Sequence, residues 1–306
     1  VLQILAMGLQ FVAGVIVARG LQEDGKGIHA LVVLIPDMAR AVAHMGFGMA
    51  CTRQIVKDPS KSGRVVANLI VFALVVGAVF CTGLFANFDS VQGFVEAEGA
   101  AEVEAVGDDL SVGIGLAILG LPLLMLEGFL AGALVGRRAI LAANLAKVVQ
   151  TGAFLVLVPL FFALEGKTVT AAVKAWALSF ALGDLLALIA LLFVIHGQRR
   201  PDLQLGKKAL VFGLKAFPTS IGVYLLFRLD MILLRYLGIS ADQIGIYSIT
   251  VALALMFQVI GFSVERAMVP RIMDKSSEEA NVLTPIATRS FLLVATPLAA
   301  VGALLA

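Results

Sequence analysis

The sequence predicts an all-α polytopic membrane protein. Of its 306 residues, 60% are hydrophobic and only 14% are charged, and the mean hydropathy is +1.00. A soluble chain of this length needs a polar surface, which this composition cannot supply. The apolar residues also fall into runs of about 20 residues, the length that crosses a bilayer as an α-helix. We therefore expect the bilayer to be the solvent.

Nine apolar runs are long enough to predict membrane-spanning helices. They cover residues 1–19, 27–49, 65–85, 110–135, 139–164, 173–195, 210–237, 244–264 and 282–306. The pattern sets each boundary to within about 2 to 4 residues. Because the chain begins and ends inside apolar runs, we interpret it as a fragment of a longer protein.

The charged loops predict the orientation, because cytoplasmic loops retain Lys and Arg during insertion. The connections after the second, fourth, sixth and eighth spans carry Arg53, Lys57, Lys61, Arg64, Arg137, Arg138, Arg199, Arg200, Lys207, Lys208, Arg271 and Lys275. The loop at 86–109 has seven acidic residues and no Lys or Arg. We expect this loop outside, the N-terminus in the cytoplasm, and Trp176 at the outer interface, where aromatic belts occur.

An internal repeat relates the first two spans to the seventh and eighth. The aligned positions are Arg19 with Arg235, Leu21 with Leu237, residues 27–29 with 245–247, and Arg53 with Arg271. A repeat six spans long gives both copies the same orientation, a plan known from secondary transporters. We expect two six-helix lobes, with residues 1–200 as the first and 207–306 as three helices of the second. The alternative is chance recurrence in an apolar background.

Other kinds of site have little support in the sequence. The net charge of +2 is spread over several loops, which does not predict a nucleic-acid partner. The two cysteines, Cys51 and Cys81, belong near opposite faces of the membrane, so neither a disulfide framework nor a metal cluster is expected. No nucleotide-binding motif is present, and we predict no cofactor and no catalytic residue.

Three segments, at 18–55, 217–238 and 245–272, carry a resemblance to a known family. The specific features are an arginine-leucine-glycine turn, present here as Arg235-x-Leu237-Gly238 and followed by Gly245-Ile246-Tyr247, and the Arg228-x-Asp230 pair. They resemble the polysaccharide flippase family of the multidrug, oligosaccharidyl-lipid and polysaccharide exporter superfamily. This sequence departs from the family pattern at 20–22, where the turn glycine is displaced, and at His29, where tyrosine is commoner. We expect neither change to touch the lumen.

The resemblance implies two lobes around a V-shaped cavity and export of a sugar on a polyprenyl pyrophosphate carrier. We expect the bacterial inner (plasma) membrane as the location. Membrane lipid and the polyprenyl-pyrophosphate-linked sugar are the expected partners, with other polysaccharide-assembly membrane proteins as further candidates.

Ionisable residues inside the spans are the candidate site residues. A charge at bilayer depth costs from about 2.5 to more than 10 kcal/mol, so it persists mainly beside a partner or water. In the second span Asp37, Arg40 and His44 are spaced to share one helical face after Pro36. Asp37 and Arg40 either neutralise each other against a neighbouring helix or face the lumen.

Further candidates lie in the fourth to seventh spans. Glu127, Lys147 and Asp184 fall at similar depth and could form one polar chamber, although Glu127 and Lys147 could equally form a structural salt bridge. Arg228 and Asp230 are two residues apart and point to different faces of the seventh span. We expect Arg228 in the lumen, the alternative being snorkelling to the outer interface.

These residues divide by charge into two predicted roles. The cations Arg40, Lys147, Lys215 and Arg228 suit a pyrophosphate, because Arg offers bidentate contacts and Lys a mobile point charge. The acids Asp37, Glu127, Asp184 and Asp230 are candidates for binding coupling ions.

Three other functions compete with the flippase. A drug or cation exporter of the same superfamily is favoured if the acids face the lumen without cationic partners. A membrane glycosyltransferase or polymerase would use a catalytic acid near an outer groove, but the acidic loop is more typical of a solvated surface. A purely structural subunit does not account for the cost of so many charges in the spans.

Overall fold

The computed structural model describes residues 2–96 and 107–256, with six single positions between 285 and 296. Over these residues it is almost entirely helical and contains no strand, which confirms the all-α prediction. The helices are α1 Leu2–Ala43, α2 Phe47–Lys57, α3 Ser62–Ala86, α4 Phe88–Glu96, α5 Gly107–Leu119, α6 Leu121–Gly136, α7 Ile140–Glu165, α8 Val169–Val194, α9 Leu203–Tyr236 and α10 Ala241–Met256, with a 3-10 turn at Pro59–Lys61.

Helix α1 is a hairpin that holds the first two predicted spans. It reverses at Gln22, whose φ of 60° and ψ of −169° lie in a region that glycine favours. Leg 1, residues 2–21, runs alongside α7: Leu9 faces Gly152, and Gly20 faces Phe162. Leg 2, residues 23–43, runs antiparallel to α9. Gly20 thus lies two residues before the reversal at Gln22, where it allows close packing against Phe162.

The described residues contain six helices long and apolar enough to cross a membrane, α1 among them with its two legs. Helix α10 covers the start of the eighth predicted span, and the remainder of that span lies outside the described residues, as does most of the ninth. The chain is therefore a multi-pass membrane protein. Residues 271 and 275, used in the orientation argument, also lie outside the described part.

Two predicted boundaries were wrong, the end of the second span and the extent of the acidic loop. The second span does not continue to Met49, because Met45 and Gly46 have positive φ angles of 45° and 64° and turn the chain into α2. The fourth span, predicted at 110–135, is confirmed as one segment long enough to cross a membrane, Leu110–Gly136, which consists of α5 and α6 adjoining at Gly120. The stretch predicted as an acidic loop contains α4, a short helix that begins directly after α3.

The basic loops meet at one end of the bundle, which we call the basic end. Arg137, before α7, donates to Val194 O at the end of α8 (2.8 Å). Ser62, at the start of α3, hydrogen-bonds His196 after α8. Asn68 of α3 bonds the backbone of Asp202, which precedes α9. The alternation of basic loops therefore predicted correctly which helix ends lie together.

At the opposite end, two contacts join α1 and α4 to α9 and α10. Buried Arg235 of α9 donates to the carbonyl oxygens of Phe94 (2.6 Å) and Val95 (3.0 Å) in α4. Gly27 and Gly245 meet face to face: a Cβ on Gly27 would lie 1.8 Å from Ala241 O, and one on Gly245 would lie 2.3 Å from Glu23 O. These two glycines are aligned in the repeat predicted from the sequence, and their reciprocal contact is what a two-fold axis between leg 2 and α10 would produce.

The most enclosed helix is α6, whose buried side chains include Met125, Phe129 and Leu134. Phe129 stacks on the ring of His44 with centroids 4.5 Å apart. His44 lies one residue after leg 2, and its backbone N–H still donates to Arg40 O at 2.9 Å in the helical pattern, which agrees with the helical face predicted for Asp37, Arg40 and His44. This packing fixes α6, which carries Glu127, against the basic end of leg 2.

Candidate substrate-binding cavity

A cavity of about 510 Å³ lies between both legs of α1 and helices α6 to α10. Its volume is within the usual range for small-molecule sites, about 300–1,000 Å³. Its wall draws on helices from both proposed lobes, since α9 and α10 follow residue 200. The charged or titratable side chains that line it are Lys26, His29, Asp37, Glu127, Lys147 and Arg228.

The central cluster of this cavity is built on Asp37 of leg 2. Oδ1 of Asp37 accepts from Nη2 of Arg40 at 2.7 Å, and Oδ2 lies 3.3 Å from Nε of Arg228 on α9. One carboxylate thus holds two guanidinium groups, so the cluster retains one positive charge. The Asp37–Arg40 pair considered from the sequence does form, but it is part of a three-residue cluster that spans two helices.

A second ion pair joins α6 and α7. Nζ of Lys147 lies 3.3 Å from Oε1 of Glu127, with side chains 30% and 24% exposed. Lys147 also lies 5.7 Å from the centre of the Phe180 ring, within range of a cation–π interaction. Both ionic residues line the large cavity and a second, smaller one. The salt bridge therefore forms the partition between the two spaces.

The smaller cavity, about 20 Å³, lies between α6, α7 and α8 and contains Asp184. Asp184 is only 6% exposed, and neither of its carboxyl oxygens has a hydrogen-bond partner among the described residues. Oε1 of Gln150 in the same cavity is also without a partner. The volume is that of about one water molecule or small ion, so the space can hold a single small donor or cation.

Arg228 and Asp230 point in different directions from α9. Arg228 lines the cavity, whereas Asp230 accepts from the hydroxyl of Tyr247 on α10 (2.5 Å) and from its neighbour Met231 N (2.8 Å). Tyr247 is the residue aligned with His29 in the predicted repeat. Asp230 is thus engaged with α10.

Two predicted cations are not among the residues that line the cavity. Lys215 is exposed on the first half of α9. Arg40 reaches the cavity only through Asp37. The structure therefore brings together Asp37, Glu127, Lys147 and Arg228 around one space, places Asp184 beside it, and leaves Lys215 apart.

Two positions contradict the sequence interpretation. His29 was expected not to touch the lumen, but it lines the cavity and is 7% exposed, and neither ring nitrogen has a partner among the residues that the structure describes. Trp176 was assigned to the outer interface, but it is 8% exposed and lines the same cavity, packed on Gly120.

Lys26 was missed because it was assigned to the loop between the first two spans. The signal was present, since Lys26, His29, Val33 and Asp37 follow helical spacing on one face of leg 2, and all four line the cavity. Within the described residues, no group of three or more His, Cys, Asp or Glu side chains could hold a metal ion.

Comparison with known proteins supports this architecture. A family model described as "Polysaccharide biosynthesis protein" matches residues 1–275. The MATE multidrug transporter DinF-BH superposes with a TM-score of 0.68 at 16% identity, covering 100% of this chain and 72% of that one. A MATE structure in complex with Br-NRF gives 0.66 at 18% identity, covering 94% and 71%.

An outward-facing multidrug resistance MATE family transporter of the MOP superfamily gives a TM-score of 0.55 at 17% identity, covering 97% of this chain and 70% of that one. No curated protein matches the sequence. At these identities the likeness shows the fold, and the family model supplies the membership that the three segments predicted. The chain therefore belongs to the polysaccharide biosynthesis protein family and has the fold of MOP-superfamily transporters.

Proposed function

We propose that the protein is a flippase that moves lipid-linked oligosaccharide or polysaccharide precursors across the cytoplasmic membrane by alternating access. The observation that carries the proposal is the charge of the large cavity. Three cations, Lys26, Lys147 and Arg228, line it together with two acids, Asp37 and Glu127. Both acids already lie against cations, so the surplus charge is positive. An anionic substrate such as a pyrophosphate suits this surplus.

The form of the cavity also suits a lipid-linked substrate. Apolar residues of leg 1 and leg 2, among them Phe11, Val15 and Leu34, separate the charged groups. A prenyl chain can lie against such surfaces while the headgroup contacts the cations. In this proposal residues 1–200 and 207–306 belong to two lobes, and the substrate sits where they meet.

Alternating access requires the lobes to separate at one end and then the other. The Gly27–Gly245 contact closes the end opposite the basic loops. At the basic end, Gly46 packs on Gly213, since a Cβ on Gly46 would lie 2.4 Å from Gly213 O. We assign the first contact to the outer closure and the second to part of the cytoplasmic closure.

Asp184 supplies a place for coupling. Its carboxylate has no hydrogen-bond partner among the described residues. A charge there is costly unless a proton or cation neutralises it. Ion binding at Asp184 would change the field on Lys147, which lines both cavities. The Glu127–Lys147 pair is thus the physical connection between ion and substrate sites.

The test is flipping of a fluorescent polyprenyl-pyrophosphate sugar in proteoliposomes that contain the full-length protein. We expect wild type to flip the lipid and Arg228→Ala to reduce the rate by about tenfold or more, since it removes a charged contact to phosphate. Arg228→Lys should recover part of the rate. Arg200→Ala is the matched control, because Arg200 is exposed at the basic end, outside the cavity.

The second candidate is a cation or proton-coupled drug exporter, which the unpartnered carboxylate of Asp184 favours. It predicts that a proton gradient drives export of a cationic dye, and that wild type does not flip the pyrophosphate lipid. That pair of results would replace the flippase proposal.

A further inference from the structure

Lys26 and His29 form a polar patch at the part of the cavity nearest the Gly27–Gly245 contact. They lie one helical turn apart on leg 2, and both line the cavity. Ser248 of α10 and Trp176 of α8 line the same cavity. The patch thus faces an enclosed space rather than the membrane surface, although Lys26 stands close to the hairpin turn.

Within the described part of the chain, neither side chain has a hydrogen-bond or ion-pair partner. No carboxylate oxygen of the described residues lies within 4.0 Å of the Lys26 ammonium. The nearby acids in sequence, Glu23 and Asp24, are exposed. His29 is 7% exposed, and both Nδ1 and Nε2 are without a hydrogen bond. A buried polar group left unpaired destabilises the protein, so a ligand that forms a hydrogen bond with it recovers that loss.

The patch is distinct from the Asp37 cluster. Eleven residues separate Lys26 from Asp37, which is about 16 Å along a helix. One pyrophosphate is too short to touch both. The two places also differ in charge balance, because Arg228 shares the carboxylate of Asp37 whereas Lys26 has no counter-charge among the described residues.

We propose that Lys26 and His29 form a second anion-binding site, which receives a phosphoryl group at the end of the cavity opposite the basic loops. The inference rests on the proposed flippase function and adds a second binding site, which the headgroup occupies after leaving Arg228. The ligand chemistry is a pyrophosphate, carried either by a prenyl lipid or free in solution. A cationic ligand is disfavoured because Lys26 would repel it without any acid to compensate.

The experiment is isothermal titration of the purified full-length protein with inorganic pyrophosphate. We expect two sites per chain in wild type. Lys26→Ala and His29→Phe should each lose the same site or weaken it by about tenfold or more, Arg228→Ala should lose the other, and Lys26→Arg should keep both. Lys174→Ala is the matched control, because Lys174 pairs with Glu165 at the same end but outside the cavity (2.6 Å).

A parallel titration with farnesyl pyrophosphate identifies the source of the phosphoryl group. Binding at the Lys26 site about tenfold tighter than for inorganic pyrophosphate would assign the site to the lipid carrier, and equal binding would assign it to a soluble anion. A single site that Arg228→Ala abolishes and Lys26→Ala leaves unchanged would overturn this inference while the flippase proposal stands. If wild type binds neither probe, both proposals fail. A single site that depends on Lys26 but not on Arg228 would keep the inference and remove Arg228 from its proposed role.

Discussion

Asp37 and Asp184 are two aspartates inside membrane-spanning helices, and their carboxylates have opposite surroundings. Asp37 is held by two arginines from two helices, Arg40 and Arg228. Asp184 is more enclosed, at 6% exposure, yet neither carboxyl oxygen has a partner among the described residues. The first acid organises cations around a large cavity, and the second faces a space the size of one small ligand.

The difference separates two roles that the sequence assigned together as ion coupling. A carboxylate that already holds two guanidinium groups has little capacity for an additional cation. An unpaired carboxylate in a small cavity gains most from a proton or a cation. We therefore infer that Asp37 positions the arginines for the substrate, and that Asp184 alone of this pair is the coupling group.

The largest effect is expected for Asp37→Asn. The change leaves Arg40 and Arg228 close together without the charge between them. Breaking a fully buried pair costs about 3–5 kcal/mol, and less is expected here because Arg228 is about a third exposed. Flipping in proteoliposomes should fall by about tenfold or more, with a lower Tm. Asp37→Glu, which keeps the charge, should restore part of both, and wild-type flipping by Asp37→Asn would refute the positioning role.

A different loss is expected for Asp184→Asn, which keeps the shape and removes the charge. Flipping without an ion gradient should stay within about threefold of wild type, while its stimulation by a proton or sodium gradient disappears. The measurement is the ratio of rates with and without each gradient. Stimulation equal to that of wild type would exclude Asp184 from coupling.

Glu127→Gln tests whether the Glu127–Lys147 salt bridge connects Asp184 to the large cavity. Removing the charge frees Lys147 from its partner at 3.3 Å and brings it under the influence of Asp184. We expect the stimulation of flipping by an ion gradient to fall to about half of the wild-type stimulation. This value lies between wild type, with full stimulation, and Asp184→Asn, with none. The double variant Glu127→Gln with Asp184→Asn should equal Asp184→Asn alone in stimulation, whereas additive losses would show that the two acids act independently.

The smallest effect is expected at Asp202, an acid outside the spans. Its Oδ1 accepts from Leu205 N and Gln204 N at the start of α9, and Oδ2 lies 3.2 Å from Arg64. The Leu205 amide, followed by the Arg64 guanidinium, lowers the pKa of Asp202 below its ordinary value. Asp202→Ala should lower Tm slightly and change flipping by no more than about twofold.

The contribution of Asp202 to the stability of the folded protein should depend on pH with a definite sign. Because the folded pKa is lowered, the stabilisation is present above the unfolded value, about pH 4, and is lost as pH falls through the folded one. The difference in Tm between wild type and Asp202→Ala should therefore shrink at acidic pH. A difference that grows on acidification would contradict the assignment.

The sequence was most informative where the physical signal is local. Runs of apolar residues predicted the helices, because every backbone polar group in lipid must bond within its own segment. It could not predict that Met45 and Gly46 end leg 2, because tight packing of Gly46 on Gly213 joins positions far apart in the chain. The same limit explains His29 and Trp176, whose surroundings come from several helices.

What the sequence determined by itself is the class of protein, its membrane-spanning segments, the helix ends that lie together and the set of ionisable residues at depth. Hydrophobic length and charge in loops decide these properties residue by residue. Only the tertiary structure decided which charges are partners. The packing of α6, α7, α8 and α9 around leg 2 decides whether Asp37 contacts Arg228 and whether Asp184 has a partner. An ion pair depends on the distance between two groups in space, which their positions in the sequence do not give.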